Sequence, residues 1–123
     1  MQAIKQILEN HRIVTVDELK VGEYITVSVP DMLDLTIEKV GTDELSVAHH
    51  YTQNGDLLSD PEIVFRIDES NWVPIEFIQH PAIVERDETG LSLSTFIESW
   101  NQTLHRQGYV DVQPRTTPYK PVH

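Results

Sequence analysis

Apolar and polar residues alternate along much of the chain between Ile25 and Ile78, as expected for half-buried antiparallel strands. Turn-forming residues divide this stretch into five runs. We therefore predict strands at about 25–29, 33–37, 45–53, 62–68 and 72–78. Asn54-Gly55 predicts a tight turn with positive φ values. Pro74 cannot donate to a sheet ladder, so the fifth strand is predicted to lie at a sheet edge.

Helical spacing replaces this alternation at the two ends of the chain. Ile4, Ile7 and Leu8 would form an apolar stripe on a short helix over residues 2–10. Near the other end, the apolar stripe consists of Leu93, Phe96, Ile97, Trp100 and Leu104. Gly108 follows where a helix C-cap is expected. The segment from residue 79 to 90 is polar, acidic and turn-like, and we predict no strand in it.

These elements predict an α+β domain: an antiparallel, roughly five-stranded meander with the N-terminal and C-terminal helices packed on one face. With 123 residues, the chain has room for one core, so residues 1–112 are predicted to form a single domain. Residues 113–123 contain three prolines and are predicted to be a flexible tail. The sheet face without helices would display Asp34, Glu38, Ser46, His50, Arg66 and Glu76.

The net charge of −11 is concentrated in the middle of the chain. From Asp17 to Glu98 there are 18 acidic and 4 basic residues, a balance of −14, whereas the two ends together carry +3. Such a surface repels nucleic-acid phosphates, so direct DNA or RNA binding by the main body is disfavoured. A basic protein surface or a cation is the favoured partner; the alternative is that acidity only maintains solubility.

Several classes of protein lack the residues that they require. The chain has no cysteine, which excludes disulfides, thiolate nucleophiles and sulfur-ligated zinc. Neither a signal-type apolar N-terminus nor a membrane-length apolar run is present, so a cytoplasmic location and no membrane partner are predicted. No serine elbow or glycine-rich phosphate loop supports nucleophilic or nucleotide chemistry, and no cofactor is predicted. The oligomeric state stays open.

The densest polar stretch runs from residue 48 to 62, with two histidines, two aspartates and a glutamate. Imidazole and carboxylate are common ligands of divalent ions, which makes a metal site an alternative. However, His49 and His50 are adjacent on a predicted strand and would point to opposite faces. The spacing does not match a calcium loop either. We interpret His49 as a hydrogen-bonded core residue, and we expect His50 or Tyr51 to be exposed.

Two stretches, His50 to Phe65 and Phe96 to Tyr109, resemble an uncharacterised family of small domains encoded on bacterial plasmids, phages and integrated elements. In that family a His-Tyr-Tyr segment with Asn-Gly-Asp leads into Asp-Pro-Glu, a Trp-Pro pair follows, and a helix ends in Gln-Gly-Phe. Here Tyr51-Thr52 replaces Tyr-Tyr, Trp72-Val-Pro74 stands for the pair, and Tyr109 replaces Phe. The resemblance implies accessory cargo of a mobile element and brings no activity, cofactor or catalytic residue with it.

Three functions remain from these observations. The leading one is a non-enzymatic module that binds a basic protein surface, with imitation of DNA or an anti-defence role as special forms. Its candidate binding residues are Asp34, Glu38, His50, Tyr51, Asn54, Asp56, Asp60 and Glu62. The second is a metal-dependent hydrolase or nuclease, with His50 or His49 beside Asp56, Asp60 and Glu62. The third is a structural subunit with an apolar patch on Trp72, Phe77 or Trp100.

Overall fold

One antiparallel sheet of six strands forms the framework, and the strands follow one another in chain order from β1 to β6. The computed structural model describes residues 1–13, 15–69, 71–79 and 83–112, so the predicted tail at 113–123 lies outside the described residues. The elements are α1 (Gln2–Asn10), β1 (Tyr24–Val27), β2 (Asp34–Gly41), β3 (Glu44–Gln53), β4 (Asp56–Asp68), β5 (Asn71–Gln79), β6 (Ile83–Arg86) and α2 (Ser94–Arg106). The predicted α+β class with an antiparallel sheet is confirmed.

The number of strands differs from the prediction, because β6 (Ile83–Arg86) lies in the segment expected to be turn-like. This strand has four residues, too few for alternation to be recognised, and it ends on two charged side chains. The predicted edge position of Pro74 is also wrong, since β5 lies between β4 and β6. The pairing of β5 with β6 covers only Glu76 to Gln79, so Pro74 has no strand partner on that side in the described structure.

The hairpin between β3 and β4 is longer than the sequence suggested. Asn54 has φ 53° and Gly55 has φ 85°, which confirms the predicted tight turn. The next strand begins immediately at Asp56, whereas we expected a loop up to Glu62. A register shift between Ala48 and His50 of β3 marks one extra residue in β4. This β-bulge interrupted the alternation on which the prediction of the strand depended.

Both helices share one core with one face of the sheet. α1 buries Ala3, Ile4, Ile7 and Leu8, and α2 buries Trp100 and Leu104. These side chains belong to the same cluster as Leu35, Ile37, Leu45, Val47, Ile63 and Phe65 of the sheet. Full burial of a large aliphatic or aromatic side chain contributes about 1.5–3 kcal/mol, so this cluster provides the main drive for folding. Gly108, with φ 90°, follows the end of α2 as predicted. In the described part of the chain, neither helix has the length and apolar character needed to cross a membrane.

The other sheet face, which we call the outer face, carries the alternate residues of each strand. Its central strand is β3, where Ser46 and Ala48 are buried although they face away from the helices. Val64 on β4 is the neighbour of Ser46 and is also buried. Because Ser46 and Ala48 are small, the surface above β3 is lower than the longer side chains of β2 and β4 on either side. Side chains that rise from β2 and β4 can therefore approach each other across β3.

Candidate functional site

Four of the predicted binding residues come together on the outer face. Asp34 lies directly opposite His50 on the neighbouring strand. Glu38 lies opposite Ser46, and Glu62 lies opposite Ala48 from the other side of β3. We call Asp34, Glu38, His50 and Glu62 the outer patch. Strands β2 and β4 are about 10 Å apart, two inter-strand spacings, so long side chains can interact above the small residues of β3.

Hydrogen bonds to neighbouring hydroxyl groups orient three members of the outer patch. The Ser46 hydroxyl donates to Oε2 of Glu62 at 2.8 Å. The Ser28 hydroxyl donates to Oδ1 of Asp34 at 2.8 Å. Nδ1 of His50 lies 3.3 Å from the Thr36 hydroxyl. A carboxylate oriented by one neutral donor keeps free lone pairs, which remain available to a partner.

In the electrostatic environment of Glu38, the effect of a second carboxylate outweighs that of the nearby imidazole. Partial burial raises the pKa of Glu38, the Glu62 carboxylate raises it further, and His50 opposes the shift. Among the residues that the structure describes, no lysine or arginine forms an ion pair with Asp34, Glu38 or Glu62. Two carboxylates thus repel each other on a partly desolvated surface.

The neighbouring corner of the outer face has a different charge balance. Arg86 lies 2.6 Å from Glu88, 3.6 Å from Glu76 and 3.9 Å from Glu44. Arg66 donates to the backbone carbonyl of Glu88. Arg86 contacts all three carboxylates, and Arg66 lies opposite Glu44 on the neighbouring strand, so two positive charges offset two of the three negative charges at this corner. The uncompensated negative charge of the outer face is therefore concentrated in the outer patch.

The remaining predicted site residues lie elsewhere. Tyr51 is one residue beyond His50 on β3 and therefore points to the opposite face, and both side chains are only partly exposed. Asn54 and Asp56 are exposed at the tip of the hairpin, at least three residues or about 10 Å along the strand from His50. Asp60 is at the bulge, close enough to His49 to influence the pKa of that imidazole. These four residues do not extend the outer patch.

The proposed metal ligands are separated in the same way. Leu58 pairs with Tyr51 on the side of the core, and alternation places Asp56 on that same side, whereas Glu62 pairs with Ala48 on the outer face. Within the described ranges, no three His, Asp or Glu side chains are arranged to hold a metal ion. The geometry therefore gives the metal-dependent alternative no support.

His49 is a core residue, as the sequence analysis proposed. Its Nε2 accepts a hydrogen bond from Nε1–H of Trp100 at 3.0 Å, and its ring lies 5.3 Å from that of Tyr109. Tyr109 in turn donates its hydroxyl to the backbone carbonyl of Leu33. Burial lowers the pKa of His49, against the opposing effect of the Asp34 and Leu33 backbone and the Asp60 carboxylate. Nδ1 is buried and has no well-formed hydrogen bond to any described residue.

The apolar side chains considered for an assembly surface are mostly internal. Phe77 and Trp100 are 7% and 6% exposed, and Trp72 packs against Phe65 with ring centroids 5.5 Å apart. Exposed large apolar side chains lie instead in the segment before β1, in the β1–β2 connection, near the end of β2 and on β6: Val21, Met32, Leu33, Val40 and Val84. The sequence placed Trp100 on the apolar stripe of α2, where the structure buries it, but it could not show that Phe77 is buried as well.

The fold and the outer patch define a small α+β domain with an open antiparallel sheet and one acidic face that neither described helix covers. Residues 2–110 match the family described as "Domain of unknown function (DUF6908)", and the chain belongs to this family. Comparisons with curated proteins and with solved structures give no significant match.

Proposed function

We propose that this protein is a non-enzymatic binding module whose outer patch engages a basic surface of another protein. The observation that carries the proposal is the juxtaposition of Glu38 and Glu62 on a sheet face that neither described helix covers, where no described lysine or arginine forms an ion pair with either carboxylate. A lysine or arginine from a partner would relieve this repulsion and would bind carboxylates that are already partly desolvated. Such a contact is stronger than one between fully hydrated charges.

The favoured class of partner is a DNA-handling or defence protein, because its DNA-binding surface is basic. The row of side chains along β2 is Asp34, Thr36 and Glu38, so a neutral residue interrupts the carboxylates. Imitation of DNA phosphates would therefore depend on carboxylates from two strands, Glu38 and Glu62, rather than on a single strand. The resemblance to domains of mobile elements supports this class of partner, and the genes beside the coding sequence provide an independent test of it.

The test is affinity purification from a lysate of the host cell at low and moderate ionic strength, using three forms of the protein. The wild type should retain a basic protein that is released by about 0.3 M salt, because screening shortens the range of charge interactions to a few ångströms. The double variant Glu38→Gln/Glu62→Gln should fail to retain it. The control Glu98→Gln removes an exposed carboxylate on α2 and should bind like the wild type.

Glutamine keeps the size of glutamate and still accepts the hydrogen bond from Ser46, so the double variant should fold normally. Loss of the repulsion between the two carboxylates should even stabilise it. A partner retained equally by the wild type and by the double variant would show that the outer patch is not the binding surface. Retention that is unaffected by salt would contradict the electrostatic basis of the proposal.

A further inference from the structure

A second concave surface lies at one end of the sheet and shares no residue with the outer patch. This cleft, which we call the end cleft, has a volume of about 440 Å³, in the range of pockets that hold a small ligand or a side chain. Helix α1, the segment just after it, the β2–β3 turn and the end of β4 with the start of β5 form its walls. The lining residues are Lys5, Leu8, Glu9, Ile13, Thr15, Val16, Asp17, Thr42, Asp43, Ile67, Glu69 and Trp72.

The apolar wall of the end cleft contains Trp72, whose ring is supported by Phe65 at 5.5 Å. The ammonium of Lys5 lies 5.6 Å from the centroid of the same indole ring. Tryptophan is the aromatic side chain that attracts cations most strongly. The protein thus already places one of its own cations against this ring, on an exposed and flexible side chain that a ligand could displace.

The charge of the lining also favours a cation. Glu9, Asp17, Asp43 and Glu69 contribute four negative charges against the single positive charge of Lys5. Among the described residues, none of these four carboxylates forms an ion pair. Lys39, buried beneath the cleft with its ammonium 3.3 Å from the Val16 carbonyl, adds one positive charge. The net charge of the lining remains about −2 when Lys39 is counted with it.

Hydrogen bonds fix the backbone that carries two of these acidic residues. The amide of Ile67 donates to the carbonyl of Asp43 at 2.7 Å, which fixes the β2–β3 turn against β4. Thr15 and Glu18 form a capping box around the short turn that carries Asp17, with the Thr15 amide donating to Glu18 at 2.9 Å. Asp43 and Asp17 are therefore attached to hydrogen-bonded backbone beside the aromatic wall.

We propose that the end cleft binds an arginine side chain presented by a basic segment of a partner protein. The planar guanidinium would stack on Trp72 in place of the Lys5 ammonium, and its N–H groups would donate to the carboxylates of Asp43 and Glu69. Arginine suits this site better than lysine, because it combines a flat apolar face with donors around its edge. A protein segment is favoured over a small cation, because the large negative charge of the chain attracts extended basic molecules most strongly.

The test uses a fluorescently labelled peptide that contains two arginines separated by glycine, and its binding is measured by fluorescence anisotropy. The matched control peptide replaces arginine with citrulline, which has the same shape and no charge. Free arginine at millimolar concentration serves as the competitor. The protein variants are Asp43→Asn/Glu69→Gln and Lys5→Met in the end cleft, and Glu38→Gln/Glu62→Gln on the outer patch. The melting temperature of each variant is measured first to confirm that it is folded.

We expect the arginine peptide to bind, the citrulline peptide to bind at least tenfold more weakly, and the cleft double variant to lose at least tenfold in affinity. Lys5→Met should bind two- to fivefold more tightly, because the competing cation is removed. Several results would overturn the proposal. These are equal binding of both peptides, loss of binding only in the outer-patch variant, weaker binding by Lys5→Met, and competition by free arginine at the same concentration as the peptide. Because the outer-patch variant is tested in parallel, this proposal and the proposed function can fail separately.

Discussion

Replacement of His49 by leucine tests the buried hydrogen bond that joins the sheet to α2. In the wild type, Trp100 donates to Nε2 of His49 at 3.0 Å, and both side chains are more than nine-tenths buried. Leucine removes the acceptor and leaves the indole N–H unpaired, at a cost of about 1–3 kcal/mol. The loss of ring contacts with Trp100 and Tyr109 adds about 0.5–1.5 kcal/mol. We expect His49→Leu to reduce the free energy of unfolding by about 2–4 kcal/mol at pH 7.5.

The same substitution has a pH signature. Burial lowers the pKa of His49 in the folded state, so below about pH 6.5 the unfolded chain binds more protons than the folded protein. The stability that His49 contributes is therefore fully present above pH 6.5 and is lost as the pH falls towards the folded-state pKa. The slope from this one group is at most about 1.4 kcal/mol per pH unit. The difference in free energy of unfolding between the wild type and His49→Leu should therefore decrease between pH 6.5 and pH 5.

The assay is urea denaturation followed by far-ultraviolet circular dichroism, which does not depend on Trp100 fluorescence. A double-mutant cycle with Trp100→Phe isolates the interaction between His49 and Trp100, because phenylalanine has no N–H group to leave unpaired when His49 is replaced. We expect a coupling energy of about 1–2 kcal/mol at pH 7.5. Other titrating groups cancel in the difference between the variants. If the difference in free energy of unfolding between the wild type and His49→Leu is the same at every pH, His49 does not titrate as a buried neutral base and the reasoning fails.

Three further predictions concern the outer patch, the end of α2 and metal binding. Glu38→Gln should raise the urea midpoint at pH 7, because the raised pKa of Glu38 means that its ionised form is disfavoured in the folded state. This gain in stability should disappear below about pH 4.5, where Glu38 is protonated in both the folded and the unfolded wild type. Gly108→Ala should lower the free energy of unfolding by about 1 kcal/mol, since φ is 90° at this position. The control Gly41→Ala, at a position without positive φ, should lower it less. Equal losses of stability would refute the explanation by backbone strain. Addition of Mg²⁺, Ca²⁺, Mn²⁺ or Zn²⁺ should leave the melting temperature unchanged relative to salt-matched controls, and a specific increase of several degrees would restore the metal-binding alternative.

Most of the fold could be predicted because local patterns agreed with the final packing. The stripe of α1, the spacing of α2, the glycine after α2 and the Asn54-Gly55 turn each depend on residues close in sequence. His49 could be assigned to the core for the same reason, since it shares its strand face with Leu45 and Val47. The strand β6 could not be predicted, because a four-residue strand is stabilised by pairing with β5 rather than by its own pattern.

The candidate site was harder to predict than the fold. Asp34, Glu38 and His50 follow from simple alternation on two strands, and the structure places them together. Tyr51, Asn54 and Asp56 were included only because they are close to His50 in sequence, and alternation or distance separates them from the patch. The end cleft had no sequence signal, since its walls come from four separate segments of the chain.

The position of Glu62 depends on the bulge in β4, and this shows how the core determines the chemistry of the outer face. Before the bulge, Leu58 pairs with Tyr51 on the inner side, so alternation directs the even-numbered residues of β4 inwards. The extra residue at the bulge reverses the alternation, so that after it the odd-numbered residues Ile63 and Phe65 point inwards.

Without that residue, Glu62 would point into the core. Burial of Ile63 and Phe65 contributes about 1.5–3 kcal/mol each, more than the repulsion between two partly exposed carboxylates costs. Packing of the core therefore holds Glu62 beside Glu38 despite their repulsion, and the acidic character of the outer patch does not depend on stabilising contacts of its own.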